Sequence, residues 1–262
     1  MPDLHHDVRG RGPLLLVLPG GAGHPMGLDP LVEPLADRFT VVTYDPLGLA
    51  HGRLGMPVGD QRVEDWGDGA SRVLHATLPD GESAYVLGLS SGGIAALDLL
   101  ARHGERLAHV VAHEAPCVAP LPDGRRRQKS FAAVCDTYRT LGPAAAAARL
   151  TAVLEDREAP PAADTAARPL SREEELRNPT ALFLRHVLGP FTAHRPDLPA
   201  PGGHGGPARL TFAAGVDSRD LLLHRTARFL AGRTGGGFAE FPGGHVGAGT
   251  HPEEFAERLT AV

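Results

Sequence analysis

The amino-acid sequence predicts an α/β protein with a mostly parallel central sheet flanked by helices. Short apolar runs recur along the chain and are apolar on both faces, as strands within a parallel sheet must be because helices cover both of its sides. Amphipathic stretches with a period near 3.6 residues separate the runs, and such alternation builds right-handed β-α-β units. Because 42% of the 262 residues are apolar and 22% are charged, the chain can bury a core of this kind.

Six segments are predicted to be strands, because each is short, predominantly apolar or aromatic, and followed by glycine, proline or another turn residue. They are Leu14–Leu18, Phe39–Tyr44, Ala84–Leu89, Leu107–His113, Leu210–Ala214 and Gly237–Phe241.

Five further segments are predicted to be helices from their apolar period. They are a segment beginning at Asp29-Pro30, then Val63–Leu78, Gly92–His103, Arg219–Ala231 and a last helix from Thr250 to the C-terminus. The last helix is expected to begin at Thr250 because Glu253 stands three residues later, which is the spacing of a capping box.

The alternation of strands and helices stops between Cys117 and Pro207. Ser130–Leu154 and Arg172–Leu188 have helical patterns, and the first is expected to break at Gly142-Pro143 because proline cannot continue a helix. The sequence therefore predicts two units. Residues 1–116 and 208–262 form a core, and residues 117–207 form a helical lid inserted into it.

The overall charge narrows the classes of partner. With 26 basic and 31 acidic residues the formal net charge is −5, which argues against electrostatic binding of nucleic acid or of an anionic membrane. A small-molecule substrate fits this charge better. The sequence leaves the oligomeric state open, including a homodimer.

Localisation and cofactors are predicted from signals that the sequence lacks. Two cysteines are too few for a disulfide framework or a thiolate metal site, and the first apolar run has five residues where a signal peptide needs roughly seven to fifteen. No apolar segment approaches the roughly 18 residues of a membrane span, and dinucleotide and phosphate motifs are absent. We therefore expect a cytoplasmic protein that uses no metal or other cofactor.

A serine stands where a predicted strand turns into a predicted helix. Gly88-Leu89-Ser90-Ser91-Gly92 has the form G-x-S-x-G, in which a sharp turn exposes the serine and leaves little room for side chains two residues to either side. A glycine-serine loop that only connects the two elements would be the plain alternative. The strand before the motif and the helix after it favour Ser90 as a nucleophile.

This motif and three others resemble the α/β-hydrolase fold family, and the resemblance covers nearly the whole chain. Leu18-Pro19-Gly20-Gly21 resembles the oxyanion loop, with proline where many members have histidine. Thr43-Tyr44-Asp45-Pro46-Leu47-Gly48 is similar to the Tyr-Asp-x-x-Gly turn, and Pro242-Gly243-Gly244-His245 resembles the loop that carries the catalytic histidine. The resemblance implies an α/β-hydrolase fold in which the core carries the catalytic residues.

A serine nucleophile needs a base, and the base needs an acid to orient it. The order of the triad in the family implies that His245 is the base. Asp217 follows a predicted strand and is the preferred acid, whereas Glu114, which follows an earlier strand, is the alternative. By resemblance, the backbone N–H groups of Gly21 and Ser91 form the oxyanion hole.

The residues and the resemblance together predict a serine hydrolase that cleaves a small ester-type acyl substrate through an acyl-enzyme. A thioesterase or a cofactor-free perhydrolase would use the same residues. A hydrolase-fold protein that binds a ligand without turning it over is the alternative from another class. A fold does not by itself identify a substrate.

Overall fold

A single seven-stranded sheet forms the centre of the molecule in a computed structural model that describes residues 6–21, 28–46, 58–158, 168–198 and 209–262. The strand order is β1-β3-β2-β4-β5-β6-β7. β1 is antiparallel to β3, and every other neighbouring pair is parallel. The strands are His6–Gly10 (β1), Leu14–Leu18 (β2), Thr40–Tyr44 (β3), Ala84–Leu89 (β4), Leu107–His113 (β5), Arg209–Gly215 (β6) and Gly237–Phe241 (β7).

Helices connect the parallel strands and cover both faces of the sheet. Those of the core are Asp29–Ala36 (α1), Val63–Thr77 (α2), Ser91–His103 (α3), Leu222–Thr234 (α9), Gly247–Thr250 (α10) and Pro252–Thr260 (α11). Between β5 and β6 lie Gly124–Leu141 (α4), Pro143–Leu154 (α5), Arg172–Leu176 (α6), Pro179–Leu182 (α7) and Leu188–Ala193 (α8), with a π-helical turn, Phe183–Val187, joining α7 to α8.

The apolar side chains of each strand divide between two cores. In β2, which is buried along its whole length, Leu14, Leu16 and Leu18 pack on the face covered by α2, α3 and α9. Leu15 and Val17 pack on the opposite face against α1 and α11. Because successive side chains of a strand point to opposite faces, a continuous apolar run is what this two-sided burial requires.

The described chain between β5 and β6 is helical and contains no strand. Its own apolar cluster includes Phe131 and Leu184 and extends to Leu222 at the start of α9. An ion-pair network makes a second connection, because Asp156 after α5 accepts hydrogen bonds from Arg127 of α4 and Arg225 of α9. This segment therefore packs onto the same end of the molecule as α9.

The predicted fold class is confirmed, and the six predicted strands match β2 to β7 to within one residue at either end. The edge strand β1 was not predicted, because its sequence His-Asp-Val-Arg-Gly is polar and largely exposed. The break predicted at Gly142-Pro143 is confirmed, since α4 ends before it and α5 begins at the proline.

Several helix boundaries differ from the prediction. Arg172–Leu188 is not one helix, because the Asn178 side chain caps a new one, α7, at Pro179. The predicted capping box at Thr250 is also wrong, since α11 begins two residues later at Pro252 and the Thr250 hydroxyl instead lies 2.9 Å from Nδ1 of His251. The helix after β6 begins three residues later than predicted and continues to Thr234.

Two sequence predictions lie partly outside the described residues. Leu47 and Gly48, the last two residues of the Tyr-Asp-x-x-Gly motif, lie outside the described residues, and so does the predicted boundary between lid and core at residues 207–208. Within the described ranges, no helix is long and apolar enough to cross a membrane.

Candidate active site

Ser90 lies between β4 and α3 with a strained backbone. Its φ and ψ of 51° and −117° are outside the regions that residues with a Cβ normally adopt. Two backbone hydrogen bonds hold this turn, since the Ser90 N–H donates to the His113 carbonyl at 2.9 Å and the Gly93 N–H donates to the Ser90 carbonyl at 2.9 Å. The turn therefore directs Ser90 away from the regular strand at the carboxyl edge of the sheet.

The two glycines of the motif make this turn sterically feasible. A Cβ on Gly88 would lie 2.5 Å from the Gly92 carbonyl oxygen and 2.6 Å from the Gly93 Cα. A Cβ on Gly92 would overlap the carbonyl oxygens of Leu18 and Pro19. Both clashes are with backbone atoms, which cannot move aside as a flexible side chain could. A larger residue at either position would force the turn open.

The loop after β2 approaches Ser90 closely. A Cβ built on Gly20 would lie only 2.9 Å from the Ser90 Cβ, so this loop runs directly against the turn. Gly21 follows with a φ of 52°. Ser91 is the first residue of α3, where backbone N–H groups lack partners within the helix. Both predicted oxyanion donors thus belong to segments that adjoin Ser90.

His245 is hydrogen-bonded to a buried glutamate. Its Nδ1 lies 2.9 Å from Oε2 of Glu114, and the backbone N–H of Gly215 donates to the other carboxylate oxygen at 2.9 Å. The Glu114 side chain is 1% exposed, whereas that of His245 is 31% exposed. Glu114 also has a positive φ of 44°, and its N–H donates to the Ala213 carbonyl. The carboxylate is therefore held rigidly from β6 while it orients the imidazole.

The charge on Glu114 is strongly favoured in the folded protein. Burial alone raises the pKa of Glu114, but the hydrogen bond and charge of His245, the charge of His113 and the Gly215 N–H together lower it to about 2. At neutral pH the group is therefore a carboxylate. Such a group favours the His245 tautomer that carries a proton on Nδ1, leaving Nε2 as the basic nitrogen.

Asp217, which the sequence analysis preferred as the acid, does not contact His245. It lies in an exposed turn after β6, and its backbone N–H donates to the Gly243 carbonyl at 3.0 Å. Among the described residues its carboxylate has no hydrogen bond or ion pair. Of the two candidate acids, Glu114 and not Asp217 is therefore the one hydrogen-bonded to His245 in the structure. Strand order alone would favour Asp217, because β6 adjoins β7. The contact between Glu114 and His245 depends instead on the path of the loop after β7, which the sequence did not reveal.

Ser90 itself has no hydrogen bond from its hydroxyl to any described residue. The distance between nucleophile and base is often long before substrate binds, so the absence of this hydrogen bond is compatible with His245 as the base. The structure thus brings together Glu114 and His245 directly. It places Ser90 at the carboxyl end of β4, which adjoins β5 and is separated by two strands from β7, the strand before the His245 loop.

His113, a buried histidine beside this site, was not among the candidate site residues predicted from the sequence. The His113 ring packs edge-on against Phe241 and Phe255, with ring centroids 5.8 and 5.1 Å away, and its Nε2 is buried without a hydrogen-bond partner in the described part of the chain. Burial lowers the pKa of His113 to about 4. No sequence signal marks it, because a histidine at the end of a strand is equally compatible with an exposed position.

No described group of three or more His, Cys, Asp and Glu side chains could hold a metal ion.

Comparison with known proteins relates the chain to hydrolases. A family model described as alpha/beta hydrolase fold matches residues 13–156. The uncharacterized hydrolase YraK of Bacillus subtilis (strain 168) is 30% identical over 259 residues, which are 98% of this chain and 91% of the relative.

Solved structures are similar over nearly their whole length. A thermophilic esterase from Thermogutta terrifontis has a TM-score of 0.66 at 17% identity, covering 98% of this chain and 92% of the esterase. The enol-lactonase from Burkholderia xenovorans LB400 has a TM-score of 0.60 at 18% identity, covering 98% and 95%. At these identities the two structures share the fold with this chain.

Proposed function

Because the chain belongs to the α/β-hydrolase fold family and is a hydrolase, we propose that it cleaves small carboxylic esters through an acyl-enzyme, with Ser90 as nucleophile, His245 as base and Glu114 as the orienting acid. The strained backbone of Ser90 is the observation that carries this proposal. Strain of this kind persists only where the surrounding structure enforces it, and it is concentrated at functional sites.

The proposed reaction begins with attack of Ser90 Oγ on the ester carbonyl carbon while Nε2 of His245 accepts the hydroxyl proton. Negative charge develops on the carbonyl oxygen, where the N–H groups of Gly21 and Ser91 would stabilise it, and one such donor is worth roughly 2.7 to 4 kcal/mol. The C–O bond then breaks and the imidazolium returns the proton to the leaving alcohol. Water, deprotonated by His245, attacks the acyl-enzyme and releases the acid and free Ser90.

Glu114 supports this mechanism in two ways. Its hydrogen bond from His245 Nδ1 would keep the reactive Nε2 unprotonated before attack, and its negative charge would stabilise the imidazolium afterwards. The second carboxylate oxygen is already held by Gly215, so little reorganisation would accompany the change of charge.

We further propose that residues 117–207 act as a lid that determines which substrates reach Ser90. The helical segment begins directly after Glu114-Ala-Pro, next to the acid, and Asp156 ties it to α9 of the core. An ester substrate is supported by the structural neighbours that are named esterase and enol-lactonase, since a lactone is a cyclic ester. A cytoplasmic location is supported by Cys117 and Cys135, which are both buried and unpaired. A homodimer stays a prediction.

Replacement of Ser90 by alanine tests the proposal. We expect S90A to lose hydrolysis of p-nitrophenyl acetate and covalent labelling by a fluorophosphonate probe, since both need the serine oxygen. The control is S83A, which changes an exposed serine just before β4 and should retain both activities. Retained labelling of S90A would contradict the assignment of the nucleophile.

Parallel assays separate the alternatives that share Ser90. A panel of esters and acyl thioesters of increasing chain length would identify a thioesterase by faster thioester cleavage, and halogenation that depends on peroxide would identify a perhydrolase. Tight ligand binding with no turnover of any of these substrates would indicate a binding protein instead.

A further inference from the structure

A small cavity lies between the helical segment and the chain before α2, and none of the residues of the proposed catalytic mechanism lines it. Its volume is about 230 Å³, and it is lined by Val58, Leu170, Arg172, Glu175, Arg185 and His186. Pockets for drug-sized ligands usually range from about 300 to 1,000 Å³, so this cavity suits a smaller molecule. Its walls combine apolar side chains with two guanidinium groups.

The carboxylate in the cavity wall is already satisfied by the protein. Glu175 is buried and accepts a hydrogen bond from the Tyr138 hydroxyl at 2.7 Å and one from Arg185 at 3.2 Å. His186 lies 3.5 Å from its other oxygen and is also hydrogen-bonded to Asp60. Because these groups within the fold satisfy the oxygens of Glu175, the carboxylate needs no contact from a ligand.

Both arginines have N–H donors without an acceptor among the described residues. Arg172 makes no hydrogen bond or ion pair with a described residue, and Arg185 uses one of its five N–H donors on Glu175. Among the residues that line the cavity, two guanidinium groups stand against one carboxylate, which leaves one excess positive charge. A guanidinium presents parallel N–H donors that match the two oxygens of a carboxylate.

Local backbone geometry brings two of these side chains to the cavity. Arg185 and His186 stand in the π-helical turn Phe183–Val187, between α7 and α8. Such wide turns are rare and often occur at functional sites, because the extra residue redirects side chains that a regular helix would point elsewhere. The turn is anchored to the chain before α2, since the Gln61 N–H donates to the His186 carbonyl at 2.8 Å.

We propose that this cavity binds a small aliphatic monocarboxylate, with the carboxylate between Arg172 and Arg185 and the hydrocarbon chain against Val58 and Leu170. A monoanion suits the site better than a phosphate dianion because Glu175 contributes a negative charge to the same wall. The two apolar side chains favour an anion with a short chain over one that is polar throughout. The site requires no chemistry at Ser90.

Calorimetric titration of the full chain with sodium butyrate at constant ionic strength tests this site. We expect saturable one-to-one binding with a Kd on the order of 1 mM. The R172Q variant should weaken binding at least tenfold, and it should fold normally because Arg172 has no partner to lose. R177Q is the matched control, since it removes the same charge from an exposed arginine that pairs only with Glu173, and its Kd should stay within twofold of the wild type.

The same titration in S90A separates this site from the catalytic one. Unchanged butyrate affinity in S90A, together with loss in R172Q, would support the proposal whether or not Ser90 proves to be a nucleophile. Loss of binding in S90A with retention in R172Q would place the carboxylate at Ser90 and overturn the proposal. Equal affinities of R172Q and R177Q, tighter binding of inorganic phosphate than of butyrate, or equal binding of 1-butanol would also overturn it.

Discussion

Replacing Glu114 by glutamine removes the negative charge beside His245 while keeping the size of the side chain and an oxygen that can accept the Gly215 N–H. The lowering of the pKa of Glu114 from 4.5 to about 2 corresponds to roughly 3 kcal/mol of favourable interaction with its surroundings, chiefly His245. Loss of that stabilisation from the imidazolium would slow the reaction by roughly 10²-fold. The amide can also favour the wrong tautomer of His245, as an Asp-to-Asn change does in serine proteases at a cost of about 10⁴-fold.

The assay is hydrolysis of p-nitrophenyl acetate at neutral pH. We expect the kcat of E114Q to fall by roughly 10² to 10⁴-fold with little change in KM, because the lost interaction acts on the charge that forms in the transition state. The matched control is D217N, whose exposed carboxylate does not contact His245, and its kcat should stay within about twofold. Thermal melts would establish that both variants are folded.

The opposite pattern would refute the reasoning. If D217N lost 10²-fold or more while E114Q kept nearly full activity, the acid would be Asp217, and the Glu114–His245 hydrogen bond would have only a structural role. Nearly full activity of both single variants would refute the assignment of Glu114 as well.

Two further predictions concern stability. Burial lowers the pKa of His113 to about 4, so its neutral form contributes roughly 3 kcal/mol of stability above the unfolded pKa of about 6.5, and this contribution is lost as the pH falls from 6.5 to 4. Between pH 7 and pH 4.5, the free energy of unfolding measured in urea should therefore fall less in H113F than in the wild type. An equal fall in both proteins would argue against this origin. D156N should lower the free energy of unfolding by about 1 to 3 kcal/mol, because the Arg127 side chain is 8% exposed and would keep only Asp123 as an anionic partner. A decrease below about 0.5 kcal/mol in the same assay would show that the ion-pair network contributes little.

Local patterns were sufficient for much of this molecule. The six core strands and the turn at Ser90 depend on residues that are adjacent in sequence, so an apolar run ending at Gly88-Leu89-Ser90-Ser91-Gly92 specified strand, turn and following helix together. His245 was likewise selected by its position in a glycine-rich loop after the last strand. In contrast, β1 forms because it pairs with the edge of β3, and the polar residues of β1 do not predict a strand.

The sequence by itself determined the fold class, the candidate nucleophile and the candidate base, because each depends on an apolar period or on a motif within one short segment. Only the tertiary structure decided which acid meets His245. Glu114 and His245 are 131 residues apart, β6 lies between the strands that precede them, and their contact depends on the path of the loop after β7. Both Glu114 and Asp217 follow parallel strands, so their local sequences are equivalent in this respect. The path of the loop after β7 depends on tertiary contacts, and it distinguishes the two carboxylates where residue spacing cannot.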